Sequence, residues 1–224
     1  RDTSFQITSG FTGPITSFNP VNVIVDSNNK ILVGGQMTGF STTSIGRFVR
    51  LNSDGTLDTA FQANAGTGFD SFAYGGIHQL SNGQYIVCGD FTGYNGVTIN
   101  RGITRINNDG TRDTTWSGAT VSNAILSSAM DSQQNIYVYG AFTNFGGVTN
   151  QNFLGKFTSG GTRDLTYTFS PGYNVLPGAV GSSFIEVENS GSIISVGAFT
   201  AFSGQTVNRV LRQRPTGGSL RNNT

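Results

Sequence analysis

The sequence predicts an all-β fold of four antiparallel units, each with four short strands. Three observations predict it. One block of residues recurs four times along the 224-residue chain, and a fixed period of tens of residues marks stacked or radially arranged units. Each copy alternates short apolar runs with turns rich in Gly, Asn and Asp. No stretch sustains the 3.6-residue apolar period of an amphipathic helix, so no helix longer than a turn or two is expected.

The repeat has two landmarks. The first runs from Ile31 to Phe40, from Tyr85 to Tyr94, from Ile136 to Phe145 and from Ile193 to Phe202. Its shared glycines, Gly35, Gly89, Gly140 and Gly197, lie 54, 51 and 57 residues apart. The second landmark is Asp54 to Phe61, Asp109 to Trp116 and Gly160 to Tyr167, with a worn fourth version at Gly217 to Thr224. Its hydroxyl residues Thr56, Thr111, Thr162 and Ser219 lie 55, 51 and 57 residues apart. Two independent landmarks keep one period, which bounds the copies at about residues 6–61, 62–116, 117–167 and 168–224.

Within each copy the strands follow in order. In the first, Val21–Asp26 and Ile31–Met37 flank a turn at Asp26–Lys30, where Asn tolerates positive φ. Arg47–Asn52 is the third strand, and Asn52–Gly55 turns into a short fourth around Asp58–Gln62. The second copy reads as Gly76–Leu80, Gln84–Phe91, Gly102–Asn107 and Thr114–Trp116. The third reads as Ala124–Met130, Ile136–Phe142, Phe153–Phe157 and Leu165–Phe169. The fourth supplies Ser183–Val187, Ile193–Phe199 and Val210–Arg214, and has lost the Asp and aromatic that close the others. An orphan Asp2-Thr3-Ser4-Phe5 opens the chain. The simplest expectation is that residues 1–5 act as a closing strand for the fourth copy.

Four strands per period of ~50 residues is the pattern of a β-propeller blade. The expected architecture is therefore one domain, residues 1–224, a β-propeller of four four-stranded antiparallel blades. The segments Asn28–Gly35 and Arg50–Phe61 resemble the delta-60 repeat, a propeller repeat of large bacterial surface proteins and some phage structural proteins. The resemblance spans the chain. It implies an extracellular surface or virion location and carries no catalytic residues with it.

Composition narrows the function classes. Charged residues make up 11% and the formal net charge is +1, so no long-range field draws nucleic acid or an anionic membrane. No apolar run approaches membrane-spanning length. The single Cys forbids an internal disulfide framework. The chain opens on Arg with no basic-then-apolar leader, so a processed product or a piece of a longer protein is expected.

Recurrence separates structural from functional candidates. Asn52-x-Asp54-Gly-Thr56-x-Asp58 and Asn107-x-Asp109-Gly-Thr111-x-Asp113 space oxygen atoms as Ca²⁺ ligands can be spaced. Copies three and four replace the middle Asp with Gly160 and Gly217, so a structural Asx turn is the favoured reading and no metal or cofactor is expected. Arg47, Arg101 and Arg209, with Asn152 in copy three, open the third strands; Arg50, Arg105 and Lys156 follow, with Gln213 fourth. Rings of Arg suit sulfated or carboxylated glycans, but a bond recurring between blades, with Asp58, Asp113 or Asp164 as candidate partners, is the favoured reading. Two aromatic columns, Phe61/Trp116/Tyr167 and Phe40/Tyr94/Phe145/Phe202, read as core between blades. His78 stands alone without a triad context, and Cys88 reads as a small buried strand residue. The segments that break the repeat, Ala63–Gly75 and Ser170–Pro177, are expected to expose aromatics on flexible connections. Their candidate ligand-binding residues are Phe69, Phe72, Tyr74 and Tyr173.

These readings converge on a non-catalytic structural or adhesive module of a phage tail fibre, a receptor-binding region or a bacterial surface protein. Its partners would be a host-surface receptor or glycan, or other subunits of a larger assembly. The rival expectation is a lectin-like propeller, or a propeller enzyme acting on surface polysaccharide.

Overall fold

The computed structural model describes residues 3–7, 9–13, 22–151, 153–167, 172–174 and 184–214. The worn end Gly217–Thr224, most of Ser170–Pro177, Asn152 and Arg1–Asp2 lie outside the described residues. The chain divides into two compact units, Arg1–Trp116 and Ser117–Thr224, and each holds two copies of the repeat.

In the first unit the elements are β1 (Phe11–Thr12), β2 (Asn22–Val25), β3 (Ile31–Gly34), β4 (Gly39–Phe40), β5 (Thr43–Ser44), β6 (Phe48–Leu51), α1 (Thr59–Ala65), β7 (Phe72–Gln79), β8 (Tyr85–Asp90), β9 (Gly93–Tyr94), β10 (Val97–Thr98) and β11 (Ile103–Ile106). The second holds β12 (Ile125–Met130), β13 (Ile136–Gly140), β14 (Asn144–Phe145), β15 (Val148–Thr149), β16 (Leu154–Phe157), β17 (Phe184–Val187), β18 (Ile193–Val196), β19 (Ala201–Phe202), β20 (Gln205–Thr206) and β21 (Val210–Gln213). All strand pairing described is antiparallel.

Each copy builds a three-stranded sheet: β2-β3-β6, β7-β8-β11, β12-β13-β16 and β17-β18-β21. The expected fourth strand is reduced in three copies to a single bridge, Leu51–Leu57, Ile106–Arg112 and Phe157–Arg163. The physical reason follows one residue later. Asp58, Asp113 and Asp164 accept the main-chain N–H of Phe61, Thr115 and Thr166, at 3.2, 2.8 and 2.9 Å. A side chain that takes the next N–H diverts the backbone from the ladder. In the first copy Asp58 becomes the N-cap of α1, where Ala60, Gln62 and Ala65 favour helix and Phe61 and Ala65 bury one face. The strand expected at Asp58–Gln62 is thus a two-turn helix.

A second hairpin per copy, not foreseen, uses residues between the second and third main strands: β4-β5, β9-β10, β14-β15 and β19-β20. Its turns carry positive φ at Asn95 and Gly96 (48° and 75°), Gly146 and Gly147 (57° and 81°), and Ser203 and Gly204 (45° and 79°). Two consecutive positive φ values define the turn that matches strand twist. A residue of the preceding connection pairs with each hairpin: Phe11 with Phe40, Phe69 with Tyr94, Val121 with Phe145 and Tyr173 with Phe202. The connections that differ most in sequence therefore contribute the same structural position.

The recurrent glycine is locked from both sides. Gly35, Gly89, Gly140 and Gly197 donate their N–H to the carbonyls of Arg47, Gly102, Phe153 and Arg209, at 2.9–3.0 Å. Those four residues, at φ 63°, 84°, 70° and 67°, return their own N–H to Met37, Phe91, Phe142 and Phe199. The structural register places Gly102, not Arg101, beside Arg47 and Arg209. Likewise Ile194 faces Arg212 as Leu32 faces Arg50, so Arg212, not Gln213, completes the series of bases. At Gly89 and Gly140 the first strand bulges over the glycine, between Phe72 and Gly76 and between Ile125 and Ser127. A Cβ at either position would collide with backbone, the carbonyl of Phe72 or of Ala124.

The opening segment, expected to complete the fourth copy, is not a strand in its described part and rests against the first copy. Gln6 N–H donates to the Asp54 carbonyl at 2.6 Å, and the Phe5 ring lies over Gly55, whose φ is 86°. Glycine leaves room there for the ring.

Gly89→Val is expected to lower the urea midpoint strongly, because the obstacle is backbone and overpacking costs at least ~1–3 kcal/mol. Gly96→Asn, at φ 75° with open space around it, is expected to shift it by less than ~1 kcal/mol, since Asn tolerates this conformation. Equal midpoints for the two variants would contradict the close-approach account.

Candidate functional site

The polar groups fall into a repeated network and one copy-specific cleft. In the network, a base on the third strand meets the Asp eight residues on. Arg50 Nη2 lies 3.0 Å from Asp58 Oδ2, Arg105 Nη2 lies 2.6 Å from Asp113 Oδ2, and Lys156 Nζ lies 3.0 Å from Asp164 Oδ2. These pairs lie within a copy, not between blades as expected. Each cation also covers an aromatic ring: Arg50 over Phe61 at 4.3 Å, Arg105 over Trp116 at 5.8 Å and Lys156 over Tyr137 at 5.1 Å. The two aromatic columns are buried, as their recurrence predicted.

All three carboxyls are held below the ordinary range. Burial pushes Asp113 up, but bonds from Thr115, Arg105 and Gln84 push it down further. Burial at Asp58 is outweighed by Phe61 N–H, Lys30 and Arg50, and at Asp164 by Thr166 and Lys156. The Asp-Gly turns are Asx turns: Asp54 Oδ1 accepts from Thr56 N–H at 3.0 Å and Oγ1–H at 2.7 Å, and Asp109 repeats this with Thr111 at 2.9 and 2.7 Å. Among the described residues no group of three or more His, Cys, Asp or Glu side chains converges as metal ligands.

Between copies one and two the network extends sideways. Arg50 Nη1 donates to the Asn108 carbonyl at 2.6 Å and to its Oδ1 at 2.8 Å. Tyr85 Oη donates to Asp26 Oδ2 at 2.6 Å. Burial first, then the Asp26 bond, pushes the Tyr85 phenol up to about 12. Between copies three and four the same place is a cleft of about 430 Å³. Its walls are the turns Asp131–Gln133 and Glu188–Gly191, and Tyr137 and Lys156 also line it. Two substitutions open it: Lys156 stands where Arg50 reaches across, and Ile193 stands where Tyr85 presents a hydroxyl. Tyr137 Oη donates to Asp131 Oδ2 at 3.3 Å, and Glu188 Oε2 takes Arg212 Nε and Nη2 at 3.0 and 2.6 Å. The cleft offers amides, hydroxyls and paired charges to a polar ligand. Only the departures at positions 156 and 193 marked it in the sequence.

The expected exposed aromatics are placed differently. Phe69 is buried, stacked on Phe91 at 4.1 Å, and its edge borders a smaller cleft of about 280 Å³ with Asp70 and Thr98. Tyr74 is buried, with its phenol pushed up to about 12 by burial and then by Asp90. Tyr173 is buried and bonds Ser195. Phe72 is half-buried, with Arg47 at 5.6 Å over its ring. Strand β7 runs from Phe72, four residues earlier than expected, and Phe69 and Tyr173 dock on the hairpins, which removes them from the surface. Tyr173 belongs to the second unit and the other three to the first. Cys88 is buried in β8 and His78 pairs opposite Ile86.

The family model described as "Domain of unknown function (DUF5122) beta-propeller" matches residues 27–61 and 80–115. Both stretches fall in the first unit, one in each of its copies. No curated protein matches the chain. Among solved structures, the chain is similar to a catalytically inactive virginiamycin B lyase from Staphylococcus aureus crystallised with quinupristin. The identity is 15% and the TM-score 0.41, over 88% of this chain and 70% of that one. The chain is an all-β protein of antiparallel sheets with propeller-type repeats.

Two outcomes follow from the network. The paired carboxyls have folded pKa values below their unfolded ones, so their stabilisation is complete above the unfolded value of ~4. It is lost as pH falls through the lower, folded values. The urea midpoint should be flat from about pH 7 to pH 5 and decline below about pH 4. Asp113→Asn should lower the plateau and flatten the decline; an unchanged acid limb would exclude these pairs as its source. Because Thr hydroxyls and N–H groups already occupy the Asp54 and Asp109 carboxyls, EDTA should leave the melting temperature unchanged. A drop of several degrees would contradict the Asx-turn account.

Proposed function

We propose that this chain is a non-catalytic structural or adhesive module made of four blade-like repeats of the delta-60 type. Its setting is a phage particle, in a tail fibre or receptor-binding region, or a bacterial extracellular surface protein. Its partners are a host-surface receptor or glycan, or other subunits of a larger assembly. The observation that carries the reading is how the ionisable groups are used. Arg50, Arg105 and Lys156 each neutralise the Asp that terminates their own repeat, and each pair recurs at the repeat period. Groups placed by the repeat and consumed within it build a frame.

A second reading, glycan binding, is favoured by the cleft at Tyr137, Lys156, Asp131 and Glu188, which breaks the repeat where ligand sites on repeat frames do.

A glycan array together with a reducing-end assay on surface polysaccharides separates these readings. A plain scaffold predicts array signals at background, and the non-catalytic reading as a whole predicts no release of reducing ends. Binding that Lys156→Ala abolishes and Phe69→Leu leaves intact would move the assignment to a lectin using this cleft. Polysaccharide cleavage would overturn the non-catalytic reading altogether.

A further inference from the structure

The cleft between copies three and four lies within the second unit, and all its lining residues are described. Its volume, about 430 Å³, falls in the ~300–1,000 Å³ range of small-ligand sites. Three charged side chains line it, Asp131, Lys156 and Glu188, and the protein itself satisfies each of them. Asp131 Oδ1 accepts the N–H of Gln133 and of Asn135 at 3.0 and 2.8 Å. Its Oδ2 accepts from Asn135 Nδ2 and Tyr137 Oη at 2.8 and 3.3 Å. Lys156 Nζ lies 3.0 Å from Asp164 Oδ2. Glu188 Oε2 accepts from Arg212 Nε and Nη2 at 3.0 and 2.6 Å and from the Ser190 hydroxyl at 3.2 Å.

This pairing decides what charge a ligand can carry. An anionic ligand would meet two carboxylates and an ammonium that Asp164 holds. A cationic ligand would share the cleft with Lys156 and compete with Arg212 for Glu188. Either exchange strips a partner from a charge in a partly enclosed site, and an unpaired charge away from water is costly. The groups left to a ligand are uncharged. Gln133 and Asn189, exposed on the two turns that wall the cleft, bring carboxamides, and Ser132 brings a hydroxyl. None of these three side chains makes a hydrogen bond within the protein. Each both donates and accepts, which is the complement of an alcohol hydroxyl. Met130 and Val187 add an apolar wall. The corresponding place between copies one and two has no such surplus, because Arg50, Asn108, Tyr85 and Asp26 bond one another there.

We propose that this cleft is a subsite for an uncharged saccharide. The sugar hydroxyls exchange hydrogen bonds with Gln133, Asn189 and Ser132, and the C–H face of the ring packs on Met130 and Val187. The inference rests on the glycan-binding reading of the cleft and adds the class of sugar to it: uronic, sulfated and amine-bearing sugars are excluded.

The test presents the full chain with three sets of immobilised oligosaccharides. One set is neutral, built from glucose, galactose or mannose. The second carries uronic acids or sulfate esters, and the third is chitosan oligomers with free amines. Signal is expected in the neutral set alone. Calorimetry with the neutral oligosaccharide that binds should give a Kd that changes less than about twofold between about 0.05 and 0.5 M NaCl, since screening acts only on charge. Gln133→Ala/Asn189→Ala, altered only at exposed turn residues, should raise that Kd at least about tenfold with an unchanged circular dichroism spectrum. Asn28→Ala, at the turn position of copy one that matches Gln133, should leave it unchanged. Binding confined to the acidic or the amine set overturns the inference and leaves the glycan reading standing. Neutral binding that the double variant does not weaken, or that falls about tenfold across the salt range, also overturns it. A blank array overturns the inference together with the glycan reading beneath it.

Discussion

The architecture depends on one clamp. A residue held at positive φ on entry to the third strand accepts the N–H of the recurrent glycine and donates its own N–H to the residue two beyond it. The clamp sets the register of second and third strands and leaves room for the small hairpin between them. It requires glycine on the second strand, because at Gly89 and Gly140 the first strand's backbone bulges across that position. It also tolerates strain. Arg47, Phe153 and Arg209 adopt a conformation that costs non-glycine residues ~1–2 kcal/mol, and only copy two relieves it with Gly102. Two hydrogen bonds per clamp and the packing around them offset that cost.

The clamp explains how the charged groups are placed. Three residues beyond the positive-φ position lie Arg50, Arg105, Lys156 and Arg212. In three copies the base turns toward the Asp eight residues on, and in the fourth it turns to Glu188 at the first hairpin turn. Because the exchange is local, each copy neutralises itself. The sideways contacts are then free to differ between copies, and there one neighbour pair is filled by Tyr85 and Asn108 while the other is an open cleft.

Much of this was legible in the sequence, and the failures have causes. The three main strands of each copy follow from apolar runs between Asn-, Asp- and Gly-rich turns, since both signals are local. The burial of Phe61, Trp116 and Tyr167 follows from recurrence. The fourth strand, expected to begin at Asp58, Thr114 and Leu165, fails because the side chains of Asp58, Asp113 and Asp164 take the next main-chain N–H groups and end the ladder there. The small hairpins were missed because two-residue strands carry no periodicity; their signal was the Asn95-Gly96 and Gly146-Gly147 pairs. Alignment by residue identity misplaced Arg101 and Gln213 by one position each, since the clamp selects a backbone conformation and Gly102 satisfies it better than Arg. The aromatics Phe69 and Tyr173 were judged exposed because their segments break the pattern. Pairing to the hairpin constrains one residue there and leaves its neighbours free.

The sideways bonds of Arg50 have a bearing on how the chain reaches its fold. Four similar sheets with similar faces offer many wrong pairings, and a repeat with identical neighbours can exchange partners at little cost. Tyr85 with Asp26, and Arg50 with Asn108, join the first sheet to the second by bonds that Lys156 and Ile193 do not reproduce between the third and fourth. The differences among the copies thus act as address labels. They penalise a sheet that docks on the wrong neighbour by costing Arg50 Nη1 its acceptors at Asn108 and the Tyr85 hydroxyl its acceptor at Asp26, and a chain of perfect repeats would lack that discrimination.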